Sequence, residues 1–270
     1  MNDFSLRGAS ELPGHIGKLV VAIGYLFAIG LSEILTVLGN PRVGLVFYSL
    51  ILLGLFFHAA FGKGDKVRRF CLALTLVPLI RIVSLSMPLG EFHPLIWYLL
   101  AVVPLFVGTI LVIYYLALLP AQVGLGFGKG LVAVLGHFSV TLTGFLFGFV
   151  GYHILKPFPL VSSSTPIQLI IAVLVLLFGI GFIEELIFRG ILLHTSREVL
   201  GEWAGLFYVS ALFGVLQLGY LSWSHALSAI SAGLLFGWIV LRTRTIYSVG
   251  LAHGFTNIAV FLLASLQFSG

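Results

Sequence analysis

Two carboxylates stand side by side at Glu184 and Glu185, four residues ahead of Arg189, inside an otherwise apolar run. Gly181-Phe182-Ile183 leads into the pair, and Leu186-Ile187-Phe188 separates it from the arginine. Ionisable groups within a hydrophobic span cost a few kcal/mol or more and are functional candidates by default. Helix geometry gives the two acids different neighbours. Glu185 and Arg189 are i and i+4 with the acid N-terminal, the favourable ion-pair order. Glu184 is turned about 100° from Glu185 and is left without that partner, so it can act as a general base toward water. The blander readings are a structural ion pair or an acid on an ion pathway. Farther along, His253 and Asn257 are also i and i+4, offering an imidazole and an amide to one point. Donors of this type can hold a developing oxyanion, although such pairs also simply hydrogen-bond between helices.

The elements that must position these groups are membrane spans. Of 270 residues, 60% are hydrophobic and 9% charged, against about 25% charged in soluble domains. So little charge cannot cover a water-facing surface, and the fold class expected is an all-α polytopic membrane protein. A bilayer core of about 30 Å asks for roughly 20 apolar helical residues. Nine stretches qualify: 17–38, 43–61, 70–88, 94–119, 131–155, 166–193, 202–220, 225–242 and 246–266. They are apolar all round, unlike the alternating ten-residue strands of a barrel, so a bundle of eight or nine transmembrane helices is predicted. Breakers fall between them, at Gly39-Asn40-Pro41, at the charged Gly62–Arg69 loop, at Pro120 and at the polar Val161–Ser164 stretch. Thr165-Pro166-Ile167-Gln168 reads as a capping box with proline at the first helical position. Residues 120–130, with four glycines, read as a linker between a group of about four helices over 1–130 and a second group over 131–270.

Lys and Arg gather on the cytoplasmic side of membrane proteins. With the N-terminus cytoplasmic, Arg7, Lys18, Lys63, Lys66, Arg68, Arg69, Lys129, Arg197, Arg242 and Arg244 fall inside, and Arg42 and Lys156 fall outside. This bias accounts for the net charge of +5, so no nucleic-acid partner is inferred; the lipid bilayer is the expected surrounding. Asp3, Arg7 and Glu11 precede the first apolar run, the wrong order for a secretory signal peptide. The single cysteine, Cys71, excludes an internal disulfide framework or a cysteine-built metal site.

Glu184-Glu185-x-x-x-Arg189 followed by His253-x-x-x-Asn257 resembles the CAAX-protease and bacteriocin-processing (Abi) family of membrane-embedded proteases. Phe188-Arg189-Gly190 completes the first motif, Ser210–Gly214 leads the second, and Leu241-Arg242-Thr243 precedes the third. The resemblance covers roughly 166–262, so 131–270 is expected to be a CAAX-protease-like domain. It implies an active site opening near the inner membrane face, with Glu184 activating the hydrolytic water and Glu185 with Arg189 holding the architecture. His253 and Asn257 would stabilise the oxyanion. An older view of the family assigned zinc; this chain lacks His-Glu-x-x-His or any tight His and Cys set, so no cofactor is expected. One position departs from the pattern. Phe213-x-x-x-Gln217 carries Gln where the family has His, and an amide cannot take a proton near neutral pH. His225 is a candidate replacement, or an ordinary loop-edge histidine.

Three function classes follow. The first is an endopeptidase acting on a membrane-anchored protein or peptide. The second is a catalytically impaired relative, by virtue of Gln217, that binds a membrane partner as an assembly or regulatory subunit. The third is a transporter, although residues 1–130 hold no second copy of the Glu-Glu motif, as the repeated halves of transporters would suggest. The remaining polar residues read as structural. His58, His137, His153 and His194 are expected at helix ends, Trp97 and Trp203 in interfacial belts, and Gly144-x-x-x-Gly148 and Gly233-x-x-x-Gly237 at close helix contacts. Glu33 and Arg81 lie at similar depth near the outer ends of their spans and are expected to pair.

Overall fold

The computed structural model describes residues 12–87, 94–126, 131–156 and 165–267. Val161–Ser164, Arg7, Lys129 and the side chain of His137 fall outside the described residues. Among the described residues nine helices follow one another. They are α1 (Leu12–Leu38), α2 (Pro41–Phe61), α3 (Asp65–Ser86), α4 (Pro94–Tyr115), α5 (Leu131–Leu155), α6 (Pro166–Leu200), α7 (Glu202–Leu216), α8 (Trp223–Thr243) and α9 (Tyr247–Gln267). The first eight contain stretches long and apolar enough to cross a bilayer, and α9 has the 21-residue length of α2 and α8. Phe27, Phe57, Val103, Phe145 and Leu146 point outward from the bundle, as lipid-facing side chains do. The chain is an integral, multi-pass, all-α membrane protein.

Beyond α1, which begins at Leu12 rather than 17, two boundaries differ from the hydropathy reading by five residues or more. α3 starts at Asp65 rather than 70, with that acid in its first turn, where it complements the helix dipole. α6 runs to Leu200 rather than 193, stopping at Gly201 with φ 90°. Hydropathy marks only the part of a helix in hydrocarbon, whereas backbone hydrogen bonding carries both helices on into the polar margin. The predicted start of α6 holds: Thr165 N–H donates to Gln168 Oε1 at 3.4 Å, and Pro166 is first in the helix.

Small residues let the helices of the second group touch. A Cβ on Gly144 would collide with the Ala252 backbone, and one on Gly148 with Ala259, so α5 lies directly on α9. Gly181 and Gly254 face each other where α6 meets α9. Gly233 and Gly237 lie against Ser210 and Leu206, joining α8 to α7. The segment after α4 is not a free strand of chain. Ile246 N–H donates to Gly124 O at 2.9 Å and Tyr247 Oη to Leu125 O at 3.3 Å, so 119–125 is laid across the junction of α8 and α9.

The expected Glu33–Arg81 pair forms. Arg81 Nη2 donates to Glu33 Oε2 at 3.0 Å, and Tyr48 Oη donates to Oε1 of the same carboxylate at 2.7 Å. Glu33 is fully buried, so α1, α2 and α3 converge on one charge. Glu33→Gln keeps the shape but leaves Arg81 uncompensated. It is expected to lower stability by about 1–3 kcal/mol, measured as a fall in the unfolding midpoint of purified protein, with any cleavage activity retained. His58, His153 and His194 serve structural contacts, with Tyr25, the Phe149 carbonyl and Glu198 respectively.

Candidate functional site

The Glu-Glu motif lies where α6 departs from α-helical winding. Val175–Phe182 and Leu186–Leu192 wind as π-helix on either side of a short α-helical stretch, Ile183–Glu185. Wider winding of this kind is uncommon and is often found at functional sites. It turns Glu184 and Glu185 to different surroundings, as their adjacency predicts. The Glu185 side chain is wholly buried, whereas that of Glu184 keeps 24% exposure and faces a cavity.

That cavity, of about 270 Å³, collects most of the residues singled out in the sequence. Glu184, Glu185, Gln217, His253 and Asn257 all line it, and Arg189 does not. Arg189 sits behind the wall. Its Nη1 donates to Glu185 Oε1 at 2.8 Å, and its guanidinium carbon lies 4.5 Å from the centre of the Phe213 ring. The same Glu185 oxygen is 2.8 Å from His253 Nδ1. The other imidazole nitrogen, Nε2, points toward Glu184 at 3.7 Å. Arginine, acid, imidazole and acid thus form one file from the protein interior to the cavity. Phe213 braces it, edge-on to His253 with ring centres 5.8 Å apart.

The file constrains proton positions. An ionised carboxylate only accepts hydrogen bonds, so the Nδ1 of His253 carries the proton shared with Glu185. A neutral His253 then presents the bare lone pair of Nε2 toward Glu184 and the cavity. The amide nitrogen of Asn257 is buried with no hydrogen-bond partner. An unpaired buried donor is costly, and this one lines the cavity, available to an oxygen that develops negative charge there. Gln217 stands at the cavity wall where α7 tightens into the 3₁₀ turn Gln217–Tyr220. His225 also reaches the wall, with its ring 5.0 Å from that of Tyr220.

The lining extends away from the basic loops. Arg81 and Ser84 of α3, Trp97 and Tyr98 of α4, and Tyr220 after α7 border the cavity. All lie toward the helix ends opposite the basic loops, while Phe188 and Phe236 lie past the middle of α6 and α8, so the cavity runs from those ends into the middle of the bundle. Trp97, in the first turn of α4, packs edge-on against Tyr98 at 4.8 Å and borders the cavity. No motif reading could have found Arg81, Trp97 or Tyr98 as cavity residues, because they come from helices without a motif.

Residues 166–259 match the family model described as type II CAAX prenyl endopeptidase Rce1-like. The match begins at the first residue of α6 and includes all six residues singled out above. No curated protein and no solved structure matches the chain.

Proposed function

We propose that this chain, a CAAX-protease-like membrane protein, is an endopeptidase that cleaves a membrane-anchored protein or peptide by water activated at Glu184. The observation that carries the reading is the file Arg189–Glu185–His253–Glu184 ending at a cavity with an unpaired Asn257 amide. In this reading Glu184 takes a proton from water as the oxygen attacks the scissile carbonyl. The Asn257 Nδ2–H groups stabilise the oxyanion, and the proton passes to the departing amine as the C–N bond breaks. Glu185 and Arg189 fix the His253 ring. Its neutral Nε2 is an acceptor, so His253 acts beside Glu184 as a second proton-accepting group rather than as an oxyanion donor. That role offsets the missing imidazole at 217, where the Gln217 amide orients water without taking its proton.

The donor set favours Glu184 over a metal as the activator. Catalytic zinc is held by three protein ligands, whereas Glu185 and His253 Nδ1 are engaged with each other and with Arg189. That leaves Glu184, His253 Nε2 and His225 as ligand groups at the cavity wall, and among the described residues no three His, Cys, Asp or Glu side chains are grouped to hold a metal.

Membranes carrying the wild-type chain and Glu184→Gln, compared by terminal proteomics, test the reading. New protein termini present only with the wild type are expected, and identical termini in both would reject it. Gln217→His is expected to raise the cleavage rate about tenfold or more, since an added general acid–base group is worth roughly 10²–10⁴-fold when well placed. A lower rate would favour the second reading, a relative that keeps the cavity to bind a membrane partner, for which the amide at 217 is the supporting observation.

A further inference from the structure

A second cavity, of about 220 Å³, lies at the other end of the bundle, and its lining is one-sided in charge. Arg189, Arg197, Arg244 and His194 border it with Gln122 and apolar neighbours, and no acidic residue does. The nearby acids are each held by basic residues. Glu198 is held by Arg69 at 3.6 Å and His194 at 3.5 Å, and Glu202 by Arg197 at 2.7 Å. Arg189 has its side chain 1% exposed, yet its Nη2 has no hydrogen-bond partner. The Nε of Arg197 is likewise buried and unpartnered. Arg244, Ala121 and Gln122 are exposed at the rim. A buried guanidinium nitrogen without an acceptor is expensive, and Glu185 and Glu202 pair with only two of the three arginines.

We propose that this cavity binds a phosphate group, which satisfies the free guanidinium edges of Arg189 and Arg197 while Arg244 closes over it at the rim. Planar guanidinium groups match phosphate oxygens in paired hydrogen bonds. At about 30 Å³ per water in the liquid, the space holds a phosphate with hydration to spare. Two sources carry this chemistry: the headgroup of an anionic phospholipid and free phosphate. The site sits at the end of the bundle where the basic loops gather, and basic pockets between transmembrane helices on that side suit anionic headgroups. It is separate from the first cavity and does not depend on the peptidase reading. Arg189 nevertheless belongs to both, since Nη1 holds Glu185 while Nη2 belongs to the phosphate.

The test uses the purified full chain in phosphatidylcholine vesicles with and without phosphatidylglycerol, and separately with inorganic phosphate. Lipid retention is read by native mass spectrometry and protection by the unfolding midpoint. Selective retention of phosphatidylglycerol is expected, weakened about tenfold by Arg244→Gln and untouched by Lys63→Gln/Lys66→Gln in the other basic loop. Protection by inorganic phosphate without lipid selectivity, and lost in Arg244→Gln, upholds the site and makes free phosphate its source. The proposal fails if neither probe raises the midpoint or is retained over phosphatidylcholine. It also fails if the Lys63/Lys66 variant loses as much binding as Arg244→Gln, because binding is then diffuse surface attraction. Arg244 is exposed, so its variant keeps the fold, and an unchanged midpoint in phosphatidylcholine verifies that.

Discussion

Glu184→Gln is expected to lower kcat by about 10²–10⁴-fold, the usual contribution of a positioned general base, while leaving the unfolding midpoint within experimental scatter. Glu184 is the partly exposed member of the acid pair, and its 3.7 Å approach to His253 Nε2 is too long to be a hydrogen bond that the fold depends on. Glutamine occupies the same volume and still reaches the cavity, so loss of activity with a native midpoint assigns the loss to chemistry. Asn257→Ala offers a parallel reading of the oxyanion donor, where removal of one such group commonly costs about 10²–10³-fold. Full activity in Glu184→Gln would refute water activation by this residue.

Glu185→Gln and Arg189→Gln are expected to act on the fold instead. Removing one partner of a buried ion pair strands the other charge and costs about 3–5 kcal/mol. Both side chains are within 1% of complete burial, so solvent cannot take over for the lost partner. The double variant Glu185→Leu/Arg189→Met removes both charges together and is expected to recover most of that stability. It should not recover activity, because His253 loses the carboxylate that holds Nδ1. Unfolding midpoints of the four proteins, with cleavage rates beside them, separate these effects. Additive losses in the double variant would mean that the two charges do not act as a pair.

The two acids show how far adjacency alone can be read. Separation by about 100° of helix was enough to pair Glu185 with Arg189 and leave Glu184 free, and the contacts agree. Adjacency held no information on His253, 68 residues away, whose Nδ1 shares the Glu185 oxygen with Arg189. In the proposed reading His253 accepts a proton rather than holding the oxyanion, because a neutral imidazole with its Nδ1–H engaged has no second N–H to offer. The Asn257 amide, buried without a partner, remains available for that role in the proposed reading.

Membrane class, helix number and most helix limits are determined by the sequence, because each follows from local quantities: the run length of apolar residues, the breakers between them and the caps. The candidate motif residues are legible for the same reason, since i and i+4 spacing fixes a face within one helix. The Glu33–Arg81 contact was also accessible, through the high cost of an unpaired charge in hydrocarbon. Only the tertiary structure decided which helix ends enclose the cavity. That depends on how α6 meets α9 at Gly181 and Gly254, and on the contribution of α3 and α4 to the wall. It also decided that 119–125 docks beneath α8 and α9, and that Arg189 has one nitrogen toward the acid and another left unpaired. In a chain with 60% hydrophobic residues, nearly any helix face can meet any other. The close approach of particular glycines, rather than a hydrophobic pattern, selects the neighbours.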